Sequence, residues 1–358
     1  MISQKSLTTE WLDQVSRANR NADKILVEKV IRALMLLEGL AASKLKFTFK
    51  GGTALMLLLG STKRLSIDID IIVSNKDELE PIFDTFITQK GFNRYELQER
   101  HNVSTIEKAH YKFYYNPVHK QGMAEDYVLL DILFEQPHYI KIVDQPISSS
   151  FVIHEGEAIT VPIPGFEDLL GDKLTAFAPY TTGIPYEKGG VLRSMEIIKQ
   201  LYDIGSLVPH ATDTGIVSKT FQAFAKTELG YRKFDPDIAP VLEDIYLTAL
   251  HICTRGEDGK GEIDHLMRGM AQVRQFIFSE SYHLERAITD ASKAAYVAKV
   301  IKHGSRYFEK FENAAQIKDM LIEQPVNIKL TKLKKTNPEA FFYWCQIYLL
   351  EKSSKQEL

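Results

Sequence analysis

Apolar residues return at helical spacing between residues 22 and 39, where Ile25, Leu26, Val30, Ile31, Leu34, Met35 and Leu37 gather mainly on one side of a wheel with charges between them. That pattern predicts a helix packed on a first domain. Phe47-Thr48-Phe49 is strand-like, Gly51-Gly52 permits a tight turn, and Thr53 to Leu59 reads as a helix. Leu65 to Val73 reads as a strand, Lys76 to Lys90 as a helix stopped by Gly91, and Tyr111 to Tyr115 and Tyr127 to Phe134 as two further strands. Ser148 to Pro164 is rich in β-branched residues and closes on Val-Pro-Ile-Pro-Gly, a strand with a sharp stop.

From Phe166 onward the period becomes helical in nearly every segment: Phe166 to Ala178, Ser194 to Leu207, Asp213 to Leu229, Pro236 to Arg255, Glu262 to Glu280, Ser281 to His303 and Ala314 to Ile322. The expected fold class is therefore α+β, with a mixed sheet and flanking helices over residues 1–164 and a mostly α-helical domain over 165–358. Between Pro179 and Val191 lies a Gly- and Tyr-containing loop of a length suited to covering a site. No fixed-period repeat or low-complexity tract is present.

Composition adds limits more than direction. The 358 residues are 44% hydrophobic and 25% charged, with a formal net charge of -3, so any nucleic-acid contact must use a local basic surface. Cys253 and Cys345 both lie in apolar, helix-like stretches, which favours buried thiols and fits a reducing cytoplasm. The amino terminus carries no signal-peptide run, and the longest apolar run, Ala54 to Leu59, is too short to span a bilayer.

The chemistry concentrates around residues 50 to 70. On a strand, Asp68 and Asp70 would point the same way about 7 Å apart, while the start of the helix after Gly51-Gly52 offers free backbone N–H groups to a phosphate. Two carboxylates and a phosphate cradle suit a nucleoside triphosphate with Mg2+, a hard cation that prefers oxygen ligands. Asp131, a lone acid in an apolar strand, is costly to bury unpaired and is the expected third ligand, and could also act as the base for an attacking hydroxyl. The histidines show no zinc spacing, His251 and His265 included. Gly256 to Gly261 reads as a turn, because no Ser or Thr follows its lysine. Lys329 to Lys335, with Phe341 to Trp344 nearby, reads as a solvated basic stretch, the alternative being a hold on an RNA backbone.

Lys50-Gly51-Gly52-Thr53-Ala54-Leu55, followed by Arg64-x-Ser66-x-Asp68-x-Asp70, resembles the signature of the AbiEii/AbiGii abortive-infection toxins, a branch of the polymerase-β-like nucleotidyltransferases. Gly171-Asp172-Lys173-Leu174-Thr175-Ala176-Phe177 resembles that family's lysine motif, and Lys199-Gln200-Leu201-Tyr202-Asp203-Ile204 its closing motif, so the likeness spans roughly residues 25 to 210. It implies a nucleotidyltransferase-fold first domain. It further implies that Lys50, Gly51, Gly52, Thr53, Arg64 and Ser66 surround the nucleotide, with Gly52 and Thr53 cradling phosphate. Asp68, Asp70 and Asp131 would bind metal, Lys173 would neutralise triphosphate charge, and Asp203 would orient the site. Gln200 departs from the aspartate the family often has there: either the essential acid is Asp203, or the fourth motif is weakened.

The expected function is a Mg-dependent nucleotidyltransferase toxin of a toxin–antitoxin or phage-defence pair, moving a nucleoside monophosphate onto an acceptor. The resemblance implies tRNA, at its 3′ end, and a cognate antitoxin; a protein hydroxyl would serve the same chemistry. The alternative is a non-catalytic nucleotide-binding regulator acting through its helical surface. A housekeeping tRNA-modifying or antibiotic-modifying transferase is a third reading.

Overall fold

The computed structural model describes residues 1–60, 64–75, 78–98, 107–119, 124–323 and 325–356. It divides into two compact units, one of residues 1–165 with 275–281 and the other of 166–274 with 282–358.

In the first unit, α1 (Thr9–Ala18) leads to α2 (Lys24–Ala42), whose first turn is capped by the Asp23 carboxylate accepting from Ile25 N–H. β1 (Thr48–Lys50) runs directly into α3 (Gly51–Leu58), and β2 (Ile69–Val73) follows. α4 (Glu80–Asp84), β3 (Arg94–Leu97), β4 (Lys108–Tyr115) and β5 (Asp126–Phe134) complete the main layer, and β6 (Ile142–Pro146) pairs with β7 (Thr160–Pro164) in a separate ribbon. The main sheet is five-stranded in the order β1-β2-β5-β4-β3, with β2 and β5 parallel and the other neighbours antiparallel.

Alternation decides which side is core. Tyr111, Phe113 and Tyr115 of β4 and Val128, Leu130 and Ile132 of β5 are buried on one face, where Phe83 packs edge-on against Tyr111 and Phe113. His110, Lys112 and Tyr114, with Tyr127, Leu129 and Asp131, take the other face.

The second unit is helical: α5 (Phe166–Ala176), α6 (Ser194–Leu207), α7 (Thr214–Tyr231), α8 (Ala239–Cys253), α9 (Ile263–Val273), α10 (Leu284–His303), α11 (Ile328–Thr336) and α12 (Pro338–Gln356). α10 is buried along most of its length against α8, α12 and α6, and ends on Gly304 in the left-handed conformation (φ 62°). The loop after α5 contains a hairpin of β8 (Glu187–Lys188) and β9 (Val191–Leu192) turned by Gly189 and Gly190. It is held within its own unit: Tyr180 N–H and the Thr181 hydroxyl donate to Asp244, and the Arg232 guanidinium donates to the Thr181, Thr182 and Gly183 carbonyls.

Several expectations are corrected. The strand expected from Leu65 begins only at Ile69, so Asp68 precedes it. The helix expected over 76–90 has its first two residues outside the described set; the rest is a five-residue helix followed by turns. Ser148 to Pro164 forms a strand only from Thr160. The helix expected over Glu262 to Glu280 ends at Val273, because the following segment leaves it: Phe276 C=O accepts from Leu65 N–H at 2.7 Å, and Ile277 bridges to Arg64. Ala314–Ile317 is a single 3-10 turn.

Candidate active site

The site builds from the edge of the main sheet inward. Lys50, the last residue of β1, stands level with Asp70 of β2; Asp70 is level with Asp131 of β5, and Asp131 with His110 of β4. Register partners on neighbouring strands share a face, so four chemically active side chains form one transverse row on the side of the sheet away from the Tyr111/Phe113/Tyr115 core. Asp70 and Asp131 are half-buried, whereas Asp68, outside the strand, is exposed.

The chain turns beside this row because only glycine fits there. Gly51 has φ 81°, and a Cβ on it would sit 2.1 Å from Asp70 Oδ2, so the backbone and the carboxylate approach more closely than any other residue would allow. A Cβ on Gly52 would lie 2.6 Å from Arg64 Nη2 and 2.7 Å from Ser66 Oγ. A cation and a hydroxyl are thereby drawn against the first turn of α3. That turn has no side-chain cap, which leaves its N–H groups to an incoming anion. Arg64 and Leu65 are in turn anchored by the 275–281 segment.

Thr53 differs from expectation. It is fully buried, and its hydroxyl donates to the Asp68 carbonyl at 2.8 Å, so the side chain ties α3 to the entry of β2, and only its backbone N–H is left to a phosphate. This bond and the Leu65–Phe276 contact hold residues 65–68 off the strand ladder, which is why Asp68 does not alternate with Asp70 as the sequence pattern suggests.

Among the described residues, no three His, Cys, Asp or Glu side chains gather tightly enough to hold a metal by themselves. Magnesium does not require such a cluster. It keeps several waters and binds through one or two carboxylates together with substrate phosphates. Asp70 and Asp131 supply oxygen ligands of that kind, so the donors fit the ion.

Lys173 of α5 and Asp203 of α6 come together within the second unit, Nζ to Oδ2 at 3.0 Å, both buried. Close packing of α6 on α10 supports the pair: a Cβ on Gly205 would meet Asp290 Oδ1 at 2.0 Å, and Lys293 donates to the Gly205 carbonyl at 3.3 Å. Two lysines of the basic stretch are already engaged locally, Lys329 with Glu257 at 2.7 Å and Lys334 with the Lys318 and Met320 carbonyls at 2.8 Å. Cys253 and Cys345 are free and buried, and burial raises the thiol pKa values to about 12 and about 11.

His110 is the residue that the sequence reading missed. Its Nδ1 lies 2.5 Å from Asp131 Oδ1.

The family model for the AbiEii nucleotidyltransferase toxin of type IV toxin–antitoxin systems matches residues 35–276. The chain belongs to the AbiEii family. It is thus a nucleotidyltransferase, of a toxin family that acts in a system with a cognate antitoxin and uses a nucleotide. A candidate nucleotidyltransferase from H. pylori, known from its crystal structure, is similar at 16% identity over 77% of this chain and 92% of that one, with a TM-score of 0.41. No curated protein matches the chain. No helix among the described residues is long and apolar enough to cross a membrane.

Proposed function

We propose that this AbiEii enzyme transfers a nucleoside monophosphate from a triphosphate to the 3′ end of an RNA, tRNA by family resemblance, with Mg2+, as the toxin of a phage-defence pair. The observation that carries the reading is the level placement of Asp70 and Asp131 beside an uncapped helix start. The α3 N–H groups, Arg64 and Ser66 would receive phosphate oxygens, and Lys50 adds a cation at the head of the turn. Asp70 and Asp131 would hold the magnesium, which supplies charge neutralisation on the phosphates.

In the transfer, the acceptor hydroxyl oxygen bonds to the α-phosphorus as the bond to the β-phosphate oxygen breaks, and pyrophosphate leaves. The hydroxyl proton needs an acceptor, a role that Asp131 Oδ2 can fill because His110 engages Oδ1. Most of the catalytic effect in such chemistry comes from positioning and electrostatics. Lys173 and Asp203 enter through the family motifs. Their pairing supports Asp203 as the acid of the fourth motif despite Gln200.

Incubation with each labelled nucleoside triphosphate, magnesium and total RNA, beside an Asp70→Ala control, tests this function. Label in a tRNA band only with the wild-type protein is the expected result. Tight nucleotide binding without labelled product would instead support a non-catalytic regulator.

A further inference from the structure

His110 belongs by alternation to the open face of the sheet, with Lys112 and Tyr114, yet it is only 9% exposed. Its ring is engaged by Asp131 of the same row. β4 and β5 pair antiparallel with His110 opposite Asp131, and the ring turns its backbone-side nitrogen, Nδ1, onto Asp131 Oδ1 at 2.5 Å. With the carboxylate charged it can only accept, and this contact then takes its hydrogen from Nδ1. One oxygen of Asp131 is thereby engaged from the β4 side, and Asp70 flanks the same carboxylate from β2.

A short acidic side chain on a half-exposed strand has several rotamers open to it, and only some direct an oxygen toward the ground between β2 and β5. A donor fixed on the neighbouring strand removes that freedom. Buried partners that orient a ligand in this way typically matter by about 10–100-fold in metal affinity or activity.

We propose that His110 is a positioning residue: by donating Nδ1–H to Asp131 Oδ1 it fixes the carboxylate so that Oδ2 is presented to a divalent cation and to the acceptor hydroxyl. The proposal rests on the transfer function inferred above, but its central element, the orientation of a cation-binding carboxylate, can be measured without turnover.

The test compares His110→Phe, which keeps the ring volume and loses the donor, with His110→Asn, whose Nδ2 stands close to the position of the imidazole Nδ1. Mn2+ serves as a spectroscopic stand-in for Mg2+, its affinity read by EPR in the presence of a non-hydrolysable nucleoside triphosphate. Transfer of labelled nucleotide is followed in parallel as kcat and KM. The expected result is a loss in His110→Phe of about 10–100-fold in Mn2+ affinity and in kcat, with KM for the triphosphate within about twofold, and recovery of most of both in His110→Asn.

Wild-type Mn2+ affinity in His110→Phe overturns the proposal. Equal loss in both variants, each folded by circular dichroism, overturns it too, since the donor would then not be what matters. Should His110→Phe not fold, long-range 15N–1H correlation on the wild type decides: an Nδ1–H tautomer that reverts to Nε2–H in Asp131→Ala supports the bond, and an Nε2–H tautomer in the wild type refutes it. If no protein transfers label but Mn2+ affinity follows the donor, the positioning proposal stands and the transfer reading falls.

Discussion

Asp70 and Asp131 occupy the same level of two adjacent parallel strands, β2 and β5. Neighbouring strands lie about 4.8 Å apart, so two carboxylates from different segments of the chain are held at a separation that suits shared cation binding. Parallel pairing sets this arrangement through the sheet's register, and the apolar neighbours Ile69, Ile71, Leu130 and Ile132 lock that register by burial on the other face or within the ladder.

Removing either charge should therefore affect binding and chemistry together. Asp70→Asn and Asp131→Asn, which preserve shape, are each expected to lower nucleotide transfer by more than about a hundredfold and to weaken Mn2+ binding, with little change in melting temperature. Kinetics and EPR on the same preparations check this. Activity within a fewfold of wild type in either variant would remove that residue from the site.

Gly51 offers a test of geometry alone. Gly51→Ala places a methyl group 2.1 Å from Asp70 Oδ2 and must also adopt φ 81°; Gly60→Ala must adopt φ 61° but meets nothing within 4 Å. Each pays left-handed strain of about 1–2 kcal/mol, and only the first displaces the carboxylate. Gly51→Ala is expected to lose transfer about a hundredfold, Gly60→Ala to keep it within about twofold while losing comparable stability. Equal activity in the two would show that the close approach is unimportant.

How far the sequence foretold this site depends on what kind of contact makes each part of it. The glycine turn, β2 and the lone acid Asp131 were legible because they follow local rules of backbone freedom, alternation and the cost of a buried charge. Asp68 was misplaced because its carbonyl is taken by Thr53 and its approach strand by Phe276, 211 residues after Leu65, and no local period reports such a bond. The break after Val273 has the same origin. β3 escaped notice because Arg94 and Glu96 give an edge strand a polar character. His110 was missed by the small error of starting β4 at Tyr111; one more residue of strand would have put it opposite Asp131.

The Lys173–Asp203 pair separates structural from functional importance. Lys173→Met removes the cation 3.0 Å from a buried carboxylate, at an expected cost of up to about 3–5 kcal/mol, whereas a pair replaced by apolar residues is often neutral. The double variant Lys173→Met/Asp203→Leu should thus recover most of the lost stability in denaturant melts and still fail to transfer nucleotide. Recovery of activity along with stability would confine the pair to a folding role.

Stability should also carry a pH signature from His154. Both of its ring nitrogens are out of water without a partner, next to the bridge it forms with Ile2. Burial, and then the nearby N-terminal ammonium, hold its pKa below the ordinary 6.5, while buried Glu38 pulls weakly the other way. The unfolded chain accepts a proton at about 6.5 and the folded chain resists until lower pH, so the folded state is at full strength above that value and loses ground as pH falls through it. His154→Phe keeps the volume and removes the titration. The drop in melting temperature between about pH 7.5 and about pH 5.5 is expected to be smaller in His154→Phe than in the wild type, and an unchanged drop would mean that His154 contributes nothing to the acid sensitivity of the first unit.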